Sequence, residues 1–331
     1  MMWNSFLSRT SIGIIFAFAV FFAQADASDN KAERLFQEGY TLYQQQYSPN
    51  AFVKFKEAAQ LGHAEAAYYA GNILRRNHTY ITEEAEQFYR QAAEGGDVYA
   101  MLRLARKGNF CGTLRNCDYD REEWLERALD LVLPKAEAGD LEAMKDAYSV
   151  YRVADDKRKA WGWIQRAAEG GHAFSQYWVA ILLEEQDMEF YWTDAGRRAD
   201  MLKWLKASAE QGFPKAMLKL ALEYKEDGRF DEANKWVDLL GQTDYFEALF
   251  NYGLILLQGP EGMFQYPEAR PVEGLAVLLA LHRETGNPSV KYSIDRSLSD
   301  LDSDTIAKAR ARSEELLVGI PILHYLPKFG I

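Results

Sequence analysis

A short phrase, Ala-Ala-x-x-Gly, returns along this chain at a fixed register, and that constrains the fold more than any other feature. It stands as Ala58-Ala59-Gln60-Leu61-Gly62, Ala92-Ala93-Glu94-Gly95-Gly96 and Ala167-Ala168-Glu169-Gly170-Gly171. Altered copies are Lys135-Ala136-Glu137-Ala138-Gly139 and Ser208-Ala209-Glu210-Gln211-Gly212. Eight residues before five of the six anchors stand Phe88, Leu131, Trp163, Trp204 and, where Asp244 replaces the glycine, Trp236. Three earlier stand Ala51, Ala85, Ala128, Ala160 and Ala233. Four after the anchor stand Ala66, Ala100, Ala143, Ser175, Ala216 and Ala248; nine after it, Gly71, Ala105, Tyr148, Ala180, Ala221 and Gly253. Self-similarity at such a period marks stacked repeats.

The offsets have a physical reading. Alanine, an aromatic three on, and alanine four or five later share one helix face. The glycine closes that helix, because it tolerates the left-handed C-terminal position. Small residues at offsets four and nine let the next helix approach closely while the aromatic fills the gap. Each unit is a helix–turn–helix that buries its apolar face only against its neighbours. Anchors are spaced by 34, 43, 32, 41 and 32 residues, so long and short units alternate. The additions fall between the two helices of a unit; one holds CGTLRNC and another spans Gln186 to Asp200. Helices over Ala32–Gln45 and Ala51–Gln60 begin the array, and a unit through Gly274 to Gly286 ends it. Residues 28–300 are the array; 301–331 hold a capping helix, Asp304 to Val318, and an apolar tail, Ile320 to Ile331, expected to dock on the last helices.

W-x-x-x-A-A-x-x-G closing one unit and A-x-x-x-x-G/A opening the next resembles the Sel-one-like repeat, a relative of the tetratricopeptide repeat. Trp163 to Gly171, followed by Ser175 and Ala180, carries the likeness best, and it covers roughly residues 31–290. The family's usual G-x-G-V turn is approached here only at Gln258 to Gly262. The resemblance implies an all-α fold, an α/α right-handed superhelix of about seven helix-turn-helix repeats. It also implies an adaptor or scaffold. Exported bacterial relatives include envelope assembly scaffolds, host-interaction factors and immunity proteins.

Residues 1–27 read as a signal peptide: Arg9, a 12-residue apolar run from Ser11 to Phe22, then Ala25-Asp26-Ala27 as a cleavage site. A periplasmic or secreted location follows, with no stable membrane insertion after cleavage near Ala27. Export makes a disulfide between Cys111 and Cys117 the natural reading. The net charge of −11 argues against nucleic acid and anionic lipid as partners.

No enzyme signature stands out. His63, His78, His172, His282 and His324 fit no metal spacing, and His63 and His172 share a helix-start position. There is no nucleophile elbow and no Walker loop. Glu83-Glu84, Glu122-Glu123 and Glu184-Glu185 fall on helix patterns as solvated faces. No catalytic residue, metal or cofactor is expected. The variable positions lie three and seven after each anchor, on one helix face. Of these, Tyr99, Arg103, Phe174 and Trp178 are the expected partner contacts, being the residue types that dominate hot spots. Phe190-Tyr191-Trp192, three successive aromatics in an insertion, either tuck onto a repeat or meet a partner. The expectation is therefore an exported, non-catalytic protein-binding module. One form is an immunity protein that neutralises a secreted, lipase-type effector. The alternatives are a periplasmic scaffold for envelope or exopolysaccharide assembly and, as an enzyme class, a repeat-based cell-wall hydrolase or lactamase.

Overall fold

The computed structural model describes residues 29–76, 78, 80–108, 110–111, 115–116, 119–185 and 191–328. The signal peptide, Cys117 and Phe190 lie outside them, and only the backbone of Cys111 lies within. The described residues are almost wholly α-helical, with one two-residue hairpin, β1 (Phe110–Cys111) antiparallel to β2 (Arg115–Asn116).

The chain forms two compact units. The first, ending at Arg121, holds α1 (residues 29–44, except residue 44), α2 (Ser48–Gln60), α3 (Ala64–Arg76), α4 (Glu83–Glu94) and α5 (Val98–Ala105), with α2 to α5 each packed on the next. The second, from Glu122 onward together with residues 44–46, holds α6 (Arg121–Glu137, from its second residue), α7 (Leu141–Val153), α8 (Lys157–Glu169) and α9 (Ala173–Glu184). There follow α10 (Asp194–Glu210), α11 (Pro214–Glu226), α12 (Phe230–Leu240), α13 (Phe246–Gln258), α14 (Pro271–Thr285), α15 (Pro288–Leu298) and α16 (Ser303–Ser313). From α7 to α15 each helix packs on its successor, and α16 returns onto α14.

One turn explains the repeat. Gly62, Gly96, Gly139, Gly171 and Gly212 all have φ between +85° and +102°. At Gly62, the glycine N–H donates to the Ala59 carbonyl and the next residue's N–H to the Ala58 carbonyl, at 2.9 and 3.1 Å. The other four anchors repeat this pair of bonds, a Schellman closure that satisfies carbonyls left over at the helix end. The residue after the glycine then starts the next helix. Asp97 and Asp140 accept from the N–H three residues on, as does His63 through Nδ1. This confirms the helix-start role read for His63.

The small-residue columns are core. Ala51, Ala85, Ala128, Ala160 and Ala233 have no exposed surface, and the residues four and nine after the anchors are buried as well. The aromatic column differs from its expected place. Phe88, Trp163, Trp204 and Trp236 are half-buried, and Leu131 is 41% exposed. The gap-filling side chains are one residue further on: Phe55, Tyr89, Val132, Ile164, Leu205 and Val237. They stand four residues after the alanine column (here Met201 for Leu205), which is closer to a full helical turn.

Three further expectations are corrected. Asp244 does not stand in for the closing glycine: α12 ends at Leu240, and Asp244 falls in a longer turn before α13. The insertion from Gln186 to Asp200 is only partly a loop, because Asp194 onward forms the first turns of α10, capped by Thr193. The closing helix stops at Ser313, short of Val318. The tail does dock, but against the start of α13. Leu323 N–H donates to the Asp244 carbonyl at 2.8 Å, and Phe246 N–H donates to the Leu323 carbonyl at 3.0 Å. Ile322 is buried.

Candidate recognition surface

The expected contact residues separate into two groups. Tyr99 and Arg103 are 5% and 8% exposed, so they are not presented to solvent as anchors would have to be. Their register position matches that of Phe174 and Trp178, but in the first unit the Tyr68 ring lies 6.1 Å from Tyr99 and the position is closed over.

Phe174 and Trp178 are half-buried on α9. One helical turn apart, their rings stack at 6.0 Å with an 8° interplanar angle. Trp178 Nε1 donates to the Tyr148 hydroxyl on α7 at 2.6 Å, which fixes the indole. The Phe213 ring, just before α11, meets Phe174 edge-on at 6.2 Å and Tyr177 at 5.3 Å. Tyr325 from the tail meets Phe213 at 6.2 Å and Tyr245 at 5.7 Å. Its hydroxyl donates to Asp244 Oδ1 at 2.7 Å. The result is one continuous aromatic strip, Trp178–Phe174–Phe213–Tyr325–Tyr245, held by hydrogen bonds at Trp178 and Tyr325. Preset aromatic rings offer large contact area with little entropy left to lose on binding.

Charges border the strip. Lys215 Nζ lies 5.9 Å from the centre of the Tyr245 ring, and burial pulls the Lys215 ammonium below its ordinary pKa. Lys219 is held by Glu184 and Glu223 at 2.7 and 2.8 Å. At the other border, His172 joins two helix starts: Nδ1 lies 2.7 Å from Ser175 Oγ and Nε2 3.0 Å from Glu142 Oε1. The His172 hydrogen bond, with Lys145 nearby, lowers the Glu142 carboxyl to about 2. His324 reaches Glu247 in the same way, at 3.1 Å.

The sequence reading missed Tyr148, Tyr177, Phe213 and Tyr325. Phe213 carried a usable signal, since it occupies the same position after its anchor as His63 and His172. Tyr325 carried none, because the tail lies outside the repeat. In the insertion, Tyr191 tucks in and donates to Asp200 Oδ2 at 3.0 Å, whereas Trp192 is 92% exposed. Among the described residues no three His, Cys, Asp or Glu side chains gather as metal ligands. No described helix is long and apolar enough to cross a membrane.

No family model matches the chain. Over 98 residues, 30% of its length, it is 36% identical to an F-box protein of Arabidopsis thaliana, of which this stretch covers 26%. Among solved structures it is similar to a protective antigen of uropathogenic Escherichia coli displaying an SLR fold. That match has 15% identity and a TM-score of 0.48, and covers 89% of this chain and 62% of the other. A Sel1 repeat protein from Oxalobacter formigenes matches at 24% identity and TM-score 0.36, over 65% of this chain and 86% of the other. Two of the similar structures are therefore Sel1-type repeat proteins. An immunity protein from Pseudomonas aeruginosa matches at 16% identity and TM-score 0.37, over 57% and 69% of the two chains.

Proposed function

We propose that this chain is a non-catalytic protein-binding module of the bacterial envelope, acting after export through the aromatic strip on its second unit. The observation that carries this is the strip itself. In a repeat whose packing positions are occupied by alanine, large rings at Phe174, Trp178 and Phe213 are held half-exposed and hydrogen-bonded in place. Solvent-facing repeat positions do not need that. Interface hot spots do, since aromatic anchors in a desolvated setting contribute most of the binding energy. The partner we favour is a secreted antibacterial effector, which the module would neutralise by covering it.

The test is recovery from envelope extracts of the producing cell and of competing strains. Immobilised chain should retain a defined protein, and the Phe174→Ala/Trp178→Ala double variant should lose it while keeping the same helical content. Retention of that protein by both chains would discard the strip. Turnover of a peptidoglycan substrate by the purified chain would discard the non-catalytic reading.

A further inference from the structure

The tail carries Ile322-Leu323-His324-Tyr325-Leu326 between two prolines, Pro321 and Pro327. Proline disfavours a helix there, so the main chain of this segment has to find its hydrogen-bond partners elsewhere. It finds them on the second unit. Leu323 forms a parallel bridge with Tyr245. Its N–H donates to the Asp244 carbonyl at 2.8 Å, and its carbonyl accepts from the Phe246 N–H at 3.0 Å. Gln44, a buried residue that packs with this unit, takes the next stretch. The Gln44 carbonyl accepts from the His324 N–H at 2.9 Å. Its side-chain amide holds both the N–H and the carbonyl of Leu326, at 2.7 and 3.0 Å. Side chains add a second set of contacts. The Tyr325 ring meets Phe213 and Tyr245, and its hydroxyl donates to Asp244 Oδ1. His324 Nδ1 lies 3.1 Å from Glu247 Oε1, with its ring 4.7 Å from that of Phe246.

Grooves that take extended peptides work in this way: main-chain bonds that any sequence can make supply affinity, and side-chain contacts select. The occupant here is built to come away. Residues 318–321, which join it to the rest of the chain, are all exposed. The chain before them is fixed separately, since Arg283 Nη2 donates to the Leu316 carbonyl at 2.7 Å. The tail can therefore leave without unravelling α16. Tyr325 also has φ +48°, a left-handed conformation that a ring-bearing residue keeps only while its surroundings impose it. That strain offsets part of the gain from docking and makes release easier.

Resting on the reading of the aromatic strip as the partner-binding face, we propose that this groove receives an extended segment of the partner protein, and that residues 322–326 hold its place until it arrives. The segment that fits presents a basic or other donor side chain followed by tyrosine. The two side-chain acceptors are carboxylates, Glu247 and Asp244, and the space beside Phe213 and Tyr245 takes a ring. The chain's net charge of −11 also favours a basic segment over an acidic one. On exchange the partner's ring would take the position of Tyr325, so the strip would stay continuous across the interface.

The probe is a fluorescein-labelled peptide of residues 319–328, GIPILHYLPK, titrated by anisotropy against the full chain. Tyr325→Ala and Leu323→Pro each weaken the chain's own tail and leave the groove intact. The peptide should bind either variant roughly tenfold or more tighter than the wild type, whose tethered tail competes at high effective concentration. Gln44→Ala or Asp244→Ala, added to Tyr325→Ala, should remove that gain while circular dichroism stays unchanged. Equal binding by the wild type and both tail variants, or no binding by either variant, would overturn the proposal. A wild-type dimer in light scattering that both tail variants abolish would also overturn it, by assigning the groove to the tail of a second copy. The assay contains no partner and leaves Phe174 and Trp178 untouched, so the two readings fail separately. A partner lost from the Phe174→Ala/Trp178→Ala variant without any peptide binding overturns the groove alone. Peptide binding with the partner retained by that variant supports the groove and overturns the strip.

Discussion

Substituting Gly274 by alanine should destabilise the second unit by about 2 kcal/mol, whereas the same change at Gly162 should stabilise it. Helices α13 and α14 cross where Gly253 and Gly274 face each other. A Cβ on Gly274 would lie 2.7 Å from the Gly253 carbonyl oxygen and 2.9 Å from the Leu257 amide nitrogen. Those are backbone atoms, so no rotamer change relieves the clash and the helices must part. Overpacking of this kind costs ~1–3 kcal/mol, and a rigid neighbour places it near the top of that range. Alanine gains ~1 kcal/mol over glycine in helix propensity, which leaves the net loss stated. Gly162 lies inside α8 with nothing within 4 Å of its would-be Cβ, so only the gain of ~1 kcal/mol remains. Urea unfolding followed by circular dichroism gives the global midpoints, and amide exchange in α13 and α14 reads the local effect. A Gly274→Ala midpoint at or above wild type would refute backbone-to-backbone packing of these two helices.

Other outcomes follow from single contacts. Leu205→Ala, at a fully buried column position, should cost ~2–5 kcal/mol in the same unfolding assay. Trp192→Ala should stay within ~0.5 kcal/mol, since that side chain is almost wholly in solvent. Asp140→Ala removes the acceptor for the Ala143 N–H at 3.0 Å and should cost ~1 kcal/mol. Glu142 has a folded-state pKa lowered from 4.5 to about 2, so it stabilises the fold above the unfolded value and loses that contribution as pH falls from 4.5 towards 2. Glu142→Gln should flatten the stability profile within that acid window, by a small amount because the side chain is 64% exposed.

The repeat was legible because its physics is local. A glycine in the left-handed position, an alanine eleven residues earlier and small residues four and nine later are all fixed by how one helix ends and the next packs. The −8 column misled for a related reason. Trp163, Trp204 and Trp236 look like core by residue type, yet the helical turn places Ile164, Leu205 and Val237 inward and leaves the tryptophans at the flank. The aromatic strip was half legible. Phe174 and Trp178 stood out at their register, but Tyr99 and Arg103 shared it and are buried, because depth at that position depends on the neighbouring helix. Tyr325 joins the strip across 112 positions from Phe213, a pairing that only the folded tail creates.

The central claim is that Phe174 and Trp178 face a partner. Its most direct test is the affinity of the recovered partner for Trp178→Ala, measured against Trp163→Ala, a half-buried tryptophan of α8 stacked under Arg166. The account predicts a loss of roughly thirtyfold or more for Trp178→Ala, the scale of a hot-spot aromatic, and little change for Trp163→Ala. Equal affinities for the two variants would contradict it.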